Sequence, residues 1–194
     1  YFCGKKEGDK VMGNYEISKY MRDTLSTDTA YQVLVRADML TGSVLEQLRK
    51  STDRAYTLFG IFVTIFSGVG AFGISSNSNS MKIFCAILCL GLGMASLILY
   101  IKVLWVHRYM PIGNEAEIMI YDDNMRMLEK RYDNDTQKMN AVYMRNLLLD
   151  NIEDTTHAYR TNNLLLERRS RYVRWSMLIT LTSVIIAFFA MLIF

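Results

Sequence analysis

The sequence is poor in the residues that build loops and catalytic centres. One proline and two histidines occur in 194 residues, and most of the 11 glycines lie inside apolar runs. Hairpins and loops consume proline and glycine, so this composition argues against a loop-rich β fold. Cys85 and Cys89 lie four residues apart but lack the further ligands that a metal site needs. We therefore expect no metal, no cofactor and no enzymatic activity.

Charge is also missing from long parts of the chain. Leu58–Ile74 and Trp175–Phe194 contain no charged residue, and Ile83–Ile101 is a third apolar run. A helix of about 20 apolar residues crosses a hydrocarbon core roughly 30 Å thick. The sequence therefore predicts an all-α membrane protein with three transmembrane helices, namely a hairpin and a long C-terminal helix, and with cytoplasmic helical segments. No run contains Asp, Glu or His, which argues against a secondary transporter.

The cations flank the apolar runs on one side. Most of them precede the first run, follow the second or precede the third, whereas the turn at Ser75–Ser80 carries no charge and has only Lys82 beside it. The positive-inside rule then places the N-terminus in the cytoplasm and the C-terminus outside. The predicted organisation is a short N-terminal element over 1–26, a cytoplasmic helix over 27–54, the transmembrane hairpin over 55–106, a cytoplasmic helical segment over 107–174 and the third transmembrane helix over 175–194.

Local signals predict where the helices begin. Ser26 or Thr27 is suited to cap a helix that continues into the first membrane span, with Gly42 as a point where it bends or breaks. A capping box predicts a second cytoplasmic helix over Asn114–Tyr132. Neither proline nor glycine occurs in Thr136–Phe194, which permits one continuous helix from there into the membrane.

Part of this last helix has the spacing of a coiled-coil seam. The alternating three- and four-residue steps predict an oligomer seam at Leu149, Ile152, Thr156, Tyr159, Asn163 and Leu166. Half of these positions are polar, which a wider bundle with a hydrated centre accepts better than a dry two-stranded zipper. Packing against the helix at Asn114–Tyr132 of the same chain explains the apolar half equally well.

Small and hydroxyl side chains share one face of the third span. The positions are Ser176, Thr180, Ser183 and Ala187. Such a stripe is typical of close helix packing, but several copies around an axis would make it a weakly polar pore lining. Small residues in the hairpin predict the seam between its two helices. They are Gly60, Thr64, Ser67 or Gly68 and Ala71 in the first helix, and Cys85, Cys89 and Gly93 in the second.

Five arginines precede or approach the third span. They are Arg160, Arg168, Arg169, Arg171 and Arg174. Arginines beside a membrane helix anchor it to anionic headgroups, and the same side chains bind the phosphates of a ligand. Arg160 lies furthest from the span and is the least explained by anchoring.

The residues around the first span carry a resemblance. Asp53–Ile61, continuing to Ser67-Gly68, resembles the opening membrane helix of the small SLATT and Pycsar-type effectors of bacterial anti-phage defence. The helix with Tyr159–Asn163 and Arg168-Arg169 is also similar to that group. Some members have only two spans, and residues 1–48 carry no recognised motif.

The resemblance implies a homo-oligomeric effector in the bacterial inner membrane. Its partners would be the lipid bilayer and a nucleotidyltransferase, or the nucleotide or oligonucleotide that this enzyme produces, as in a channel of the Hailong type. The expected function is an ion channel or pore that permeabilises the membrane when triggered. The alternatives are a non-conducting scaffold that recruits a cytoplasmic partner and an immunity protein that restrains a toxic one.

Overall fold

Long helices dominate the computed structural model, which describes residues 15–105, 109–111, 122–133 and 135–193. In this part of the chain no strand occurs. The helices, numbered in chain order, are α1 at Lys19–Thr24, α2 at Thr27–Ser75, α3 at Asn79–Leu99, α4 at Asp122–Arg131 and α5 at Thr136–Ile193. The three longest, α2, α3 and α5, are apolar enough to cross a membrane, so the predicted all-α membrane fold is confirmed.

The first long helix begins where its capping residue predicts. The Ser26 hydroxyl accepts a hydrogen bond from the backbone N–H of Thr29 at 3.3 Å. This bond satisfies one of the N–H groups that the first turn of a helix leaves without a partner. The helix then continues through Gly42 to Ser75 without interruption. Ser26, rather than Thr27, is therefore the residue that caps α2.

The hairpin turn is shorter than the Ser/Asn run predicts. Because α2 ends at Ser75 and α3 begins at Asn79, only residues 76–78 lie outside the helices. At its other end α3 passes into a π-helical turn at Tyr100–Leu104. Part of the predicted helix at Asn114–Tyr132 is present as α4, whereas its capping box lies outside the described residues.

The chain divides into two compact units. The polar unit comprises Tyr1–Thr41 and Pro111–Arg160, and the membrane unit comprises Gly42–Met110 and Thr161–Phe194. The boundaries fall inside α2 and α5, so each of these helices contributes to both units. All three apolar runs belong to the membrane unit.

A small apolar core and a charged clamp hold the polar unit together. Its buried residues include Ala30 from α2 and Leu149 and Ile152 from α5. Beside this core, the Arg22 guanidinium forms ion pairs with Asp150 at 2.9 Å and Glu153 at 2.8 Å. Burial alone would lower the pKa of Arg22, but hydrogen bonds to these two carboxylates and their charges raise it above its usual value.

Aromatic, aliphatic and small side chains form the core of the membrane unit. Its buried residues are Ala55, Phe62, Leu92, Ala95, Leu99 and Val103. In the hairpin, a Cβ on Gly73 would lie 2.7 Å from Cys85 Cβ, whereas one on Gly60 or Gly68 would meet nothing within 4 Å. The hairpin seam therefore uses Cys85 and Cys89 as predicted, but the contacting glycines of α2 are Gly70 and Gly73 rather than Gly60 or Gly68.

Candidate functional site at one end of the membrane helices

The predicted hydroxyl stripe of the third span faces the interior of the chain's own membrane unit. Ser176 and Ala187 are fully buried, Ser183 is nearly so, and Thr180 is half-buried. The hydroxyls of Ser176, Thr180 and Ser183 each donate a hydrogen bond to a carbonyl of the preceding turn, at 2.8–3.0 Å. Such bonds satisfy the hydroxyls within their own helix. As a pore lining the stripe stays a prediction, and in the single chain it is a packing surface.

One close contact explains why the stripe is covered. Gly91 of α3 lies directly against Ser183 of α5, and a Cβ at position 91 would overlap the Cβ and Oγ of that serine. Glycine and serine at a crossing point let two helix backbones approach closely. Opening the stripe to water therefore requires α3 and α5 to separate at this point.

The buried face of α5 carries polar residues at every seventh position. Thr155, Asn162, Arg169, Ser176 and Ser183 are all at least nine-tenths buried. The predicted oligomer seam used the neighbouring positions Thr156 and Asn163, which are only half-buried. Sequence reasoning selected the column that begins at the apolar Leu149, whereas the fully buried polar column lies one residue earlier in each heptad. That the predicted positions form a seam between copies of the chain stays a prediction.

The other predicted seam residues pack or lie partly covered within the chain. Leu149 and Ile152 contact the start of α2 and the segment before it, in the core of the polar unit. Tyr159 and Leu166 are half-buried. The apolar half of the predicted seam is thus used inside one chain, against α2 in the described residues.

A buried arginine connects three segments of the membrane unit. Arg169 of α5 is 2% exposed. Its Nη1 donates hydrogen bonds to Thr52 Oγ1 of α2 at 2.8 Å and to the Tyr109 hydroxyl at 2.9 Å. The guanidinium carbon also lies 5.2 Å from the centre of the Tyr109 ring. We call Arg169, Thr52 and Tyr109 the boundary cluster, because they stand at the same end of the three apolar helices.

The segment that carries Tyr109 is fixed by a buried amide. Asn162, which is fully buried, accepts a hydrogen bond from the Met110 N–H at 3.2 Å and donates one to the Met110 carbonyl at 3.0 Å. One side chain thereby satisfies both polar groups of a residue outside any helix. Asn162 and Arg169 lie two turns apart on one face of α5, so together they hold residues 109–110 against this helix.

The charge of Arg169 is balanced only by neutral oxygens within the described residues. Both partners of its Nη1 are hydroxyls, and its buried Nε has no hydrogen-bond partner in this part of the chain. Burying an ionised group is costly unless it is paired and hydrogen-bonded. A buried arginine without a charged partner can bind an anion, since guanidinium N–H groups form their strongest hydrogen bonds to carboxylates and phosphates.

The remaining predicted phosphate-binding arginines have different surroundings. Arg168, Arg171 and Arg174 are exposed, whereas the guanidinium of Arg160 lies 5.2 Å from the ring centre of Tyr15 in the polar unit. The structure does not bring the five arginines into one site. Only Arg169 combines burial with fixed hydrogen-bond partners.

A comparison with known proteins identifies the family. The family model described as the Pycsar effector protein domain matches residues 36–194, which is most of the chain and includes all three apolar helices. The chain belongs to the Pycsar effector family. This confirms the resemblance to Pycsar-type membrane effectors, and the family is one of membrane effectors in anti-phage defence rather than a known enzyme family. No curated protein and no solved structure matches the chain.

Sequence reasoning missed most of the boundary cluster. Thr52 was not singled out, and Asn162, which lies beside the cluster, was noted only within the run Tyr159–Asn163 that carries the resemblance. A threonine or asparagine in an amphipathic helix is ordinarily solvated. A signal was present in the seven-residue spacing of Asn162, Arg169 and Ser176. This spacing places them on one helix face with Ser183, which is the face that the structure buries.

Proposed function

We propose that the protein is an oligomeric effector that permeabilises the bacterial inner membrane during phage infection. The trigger is a nucleotide or oligonucleotide made by a partner nucleotidyltransferase, or this enzyme itself. The observation that carries the proposal is the family match over residues 36–194, because it covers the whole membrane unit. In the proposed orientation the N-terminus is cytoplasmic, as the cations at the boundary-cluster end of the helices require.

The covered hydroxyl stripe supports a specific resting state. Ser176 and Ser183 face the interior of the membrane unit, and Gly91 closes the stripe at Ser183. A stripe of hydroxyls in contact with another helix does not conduct ions. In this proposal, activation separates α3 from α5, and the stripes of several copies then line a weakly polar conduit.

The proposal is tested by the membrane potential of infected cells. Bacteria that carry the chain with its native neighbouring genes are infected with phage, and a potential-sensitive dye is followed. We expect depolarisation before lysis, and none in cells without the chain. A potential that persists while the protein is present in the membrane contradicts the proposal.

Conservative variants connect this depolarisation with the stripe. Thr180→Val removes a hydroxyl from the stripe with little change in shape, and Thr182→Val makes the same change at an exposed position of the same helix. We expect Thr180→Val to slow depolarisation several-fold and Thr182→Val to leave it unchanged. Equal rates in the two variants contradict a conduit lined by the stripe.

The number of copies is tested by mass. The purified protein in detergent is measured by light scattering, with the detergent mass subtracted. We expect a closed oligomer of about four or more copies, since fewer helices cannot enclose a hydrated path. A monomer under activating conditions contradicts the channel.

A scaffold is the second candidate, and exposed apolar side chains in the polar unit favour it. Tyr20, Tyr31 and Met39 are 73%, 60% and 69% exposed. Large apolar groups on a surface outside the membrane are typical of contact sites for other proteins. A scaffold binds its partner but leaves the potential of infected cells unchanged, so the dye measurement separates the two functions.

A further inference from the structure

The boundary cluster lies at the depth where a membrane presents phosphates. Thr52 precedes the first apolar run, Tyr109 follows the second, and Arg169 precedes the third. The three spans therefore share one end at this cluster, where the hydrocarbon core gives way to the headgroup region. Phosphate groups are the abundant anions of that region, and a nucleotide approaching the protein from the adjoining water brings the same group.

The edge of the Arg169 guanidinium that carries Nε has the hydrogen-bond donors to bind an anion. Its Nη1 donates to two neutral hydroxyls, which fix the plane of the group, and its buried Nε has no hydrogen-bond partner in the described residues. A tetrahedral phosphate accepts parallel hydrogen bonds from such an edge and neutralises the charge. Neither Thr52 nor Tyr109 supplies a negative charge.

The ring of Tyr109 covers the guanidinium of Arg169, and rotation of this side chain uncovers it. Its ring lies over the guanidinium, with 5.2 Å between the guanidinium carbon and the ring centre, yet 43% of this residue is exposed. Asn162 holds the backbone of the next residue, Met110, independently of the ring. Rotation of one side chain therefore opens the arginine while the segment stays attached to α5.

We propose that Arg169 is the binding residue for a phosphate group, which bonds to the Nε edge of the guanidinium after the Tyr109 side chain has rotated away from it. This inference builds on the proposed function by assigning the triggering anion, whether a lipid headgroup or a nucleotide phosphate, to one residue. Binding gives the buried Nε, which has no hydrogen-bond partner in the described residues, a charged acceptor. It also keeps the Tyr109 side chain away from α5, while Asn162 continues to hold the backbone of Met110.

The test uses the full chain in phosphatidylcholine nanodiscs and measures its unfolding temperature. In one arm inorganic pyrophosphate is titrated as the soluble phosphate. In the other arm one lipid in four is phosphatidylglycerol, and no soluble phosphate is present. The variants are Arg169→Gln, its exposed neighbour Arg168→Gln as the matched control, and Tyr109→Phe. The readout needs no channel activity, so a failure here is distinct from a failure of the proposed function.

We expect a higher unfolding temperature in at least one arm for the unmodified chain and for Arg168→Gln. Arg169→Gln should need about tenfold more phosphate for the same shift, the equivalent of losing a charge-assisted hydrogen bond. Tyr109→Phe should need less, because the ring rotates away from the guanidinium more easily without its hydrogen bond to Nη1. A response to pyrophosphate identifies a soluble ligand, and a response to phosphatidylglycerol alone identifies a lipid.

Two results overturn the proposal. One is an unmodified chain that responds in neither arm. The other is Arg169→Gln that responds as strongly as Arg168→Gln, which would mean that phosphates bind the exposed arginines. If Arg169→Gln does not fold, Tyr109→Phe provides the test instead. An unchanged or weaker phosphate response in that variant also overturns the proposal.

Discussion

The two units of the chain differ in what surrounds an arginine side chain. In the polar unit Arg22 pairs with two carboxylates, Asp150 and Glu153, and remains partly exposed. In the membrane unit Arg169 is almost fully buried, and its hydrogen-bond partners among the described residues are the hydroxyls of Thr52 and Tyr109. An ion pair at a surface is compensated and screened, whereas a buried cation with neutral partners retains an affinity for anions. We infer that the first arrangement serves folding and the second serves recognition.

The units also differ in how their helices approach one another. Leu149 and Ile152 fill the core of the polar unit with aliphatic side chains. The membrane unit adds contacts at Gly73 and Gly91, where no side chain separates the helices. Lipid tails are as apolar as leucine, so close packing rather than the hydrophobic effect holds helices together in a bilayer. The following four predictions test this difference, in order of decreasing effect.

The largest effect is expected at the helix crossing. Gly91→Ala places a methyl group on Ser183, and we expect it to lower the free energy of unfolding in detergent by about 3 kcal/mol. Gly60→Ala is the control, because nothing lies within 4 Å of its new Cβ. Both variants gain about 1 kcal/mol of helix propensity, so the control should be neutral or stabilised. Adding Ser183→Gly to Gly91→Ala should restore the free energy of unfolding. An equal free energy of unfolding in Gly91→Ala and Gly60→Ala would contradict the close helix crossing.

The next effect is expected at the buried amide. Asn162→Ala leaves the N–H and carbonyl of Met110 without their partner, and we expect a loss of about 2 kcal/mol in thermal unfolding. Asn163→Ala is the matched control, since among the described residues that side chain bonds to Glu167, one turn away on the same helix. The control should change stability by less than about 0.5 kcal/mol. A similar loss in both variants would show that Asn162 does not hold the segment.

A smaller effect is expected at the charged clamp of the polar unit. Arg22→Ala removes the ion pairs to Asp150 and Glu153, and we expect a loss of about 0.5–1 kcal/mol because this clamp is partly exposed. The loss should shrink in 1 M salt, which screens surface charges. Lys50→Ala, which breaks an exposed pair with Glu46, is the control and should have almost no effect. A loss that is independent of salt would contradict an electrostatic clamp.

The smallest effect is expected at the start of α5. Asp135 accepts a hydrogen bond from the Lys138 N–H and pairs with its ammonium, which lowers the pKa of the aspartate below its usual value. Because the folded pKa is the lower one, this contribution is complete above about pH 4 and is lost as the pH falls through the lowered pKa. The protection of the amides of residues 136–139, taken as the intrinsic exchange rate divided by the measured rate at the same pH, should therefore fall in acid. Asp135→Asn, which caps without titrating, should remove this acid dependence, and its persistence would contradict the assignment.

Much of the fold follows from the distribution of apolar residues. Three charge-free or nearly charge-free runs predict three spans, and the absence of proline and glycine after Asp135 predicts the length of α5. Ser26 predicts where α2 begins. These signals are local, since each depends on residues within one helix.

The site was less predictable because its contacts are not local. Arg169 bonds to Thr52 and Tyr109, which are 117 and 60 residues away in sequence. Nothing in the run of arginines distinguishes Arg169 from the exposed Arg168 except its position in the seven-residue column with Asn162 and Ser176. Likewise, the spacing of Ser176 and Ser183 is equally compatible with helix packing and with a pore lining. The contact with Gly91, which lies on another helix, shows that the stripe is covered in the single chain.

The central claim is that infection uncovers this stripe, and cysteine accessibility tests it most directly. The native cysteines are replaced by alanine, and Ser183→Cys is compared with Thr182→Cys, which lies at an exposed position of the same helix. A charged, membrane-impermeant thiol reagent is added before and after phage infection, and labelling is measured by mass spectrometry. The account predicts that Cys at position 183 is unlabelled at rest and labelled once the cells depolarise, whereas Cys at position 182 stays unlabelled. Depolarised cells in which position 183 remains unlabelled would contradict it.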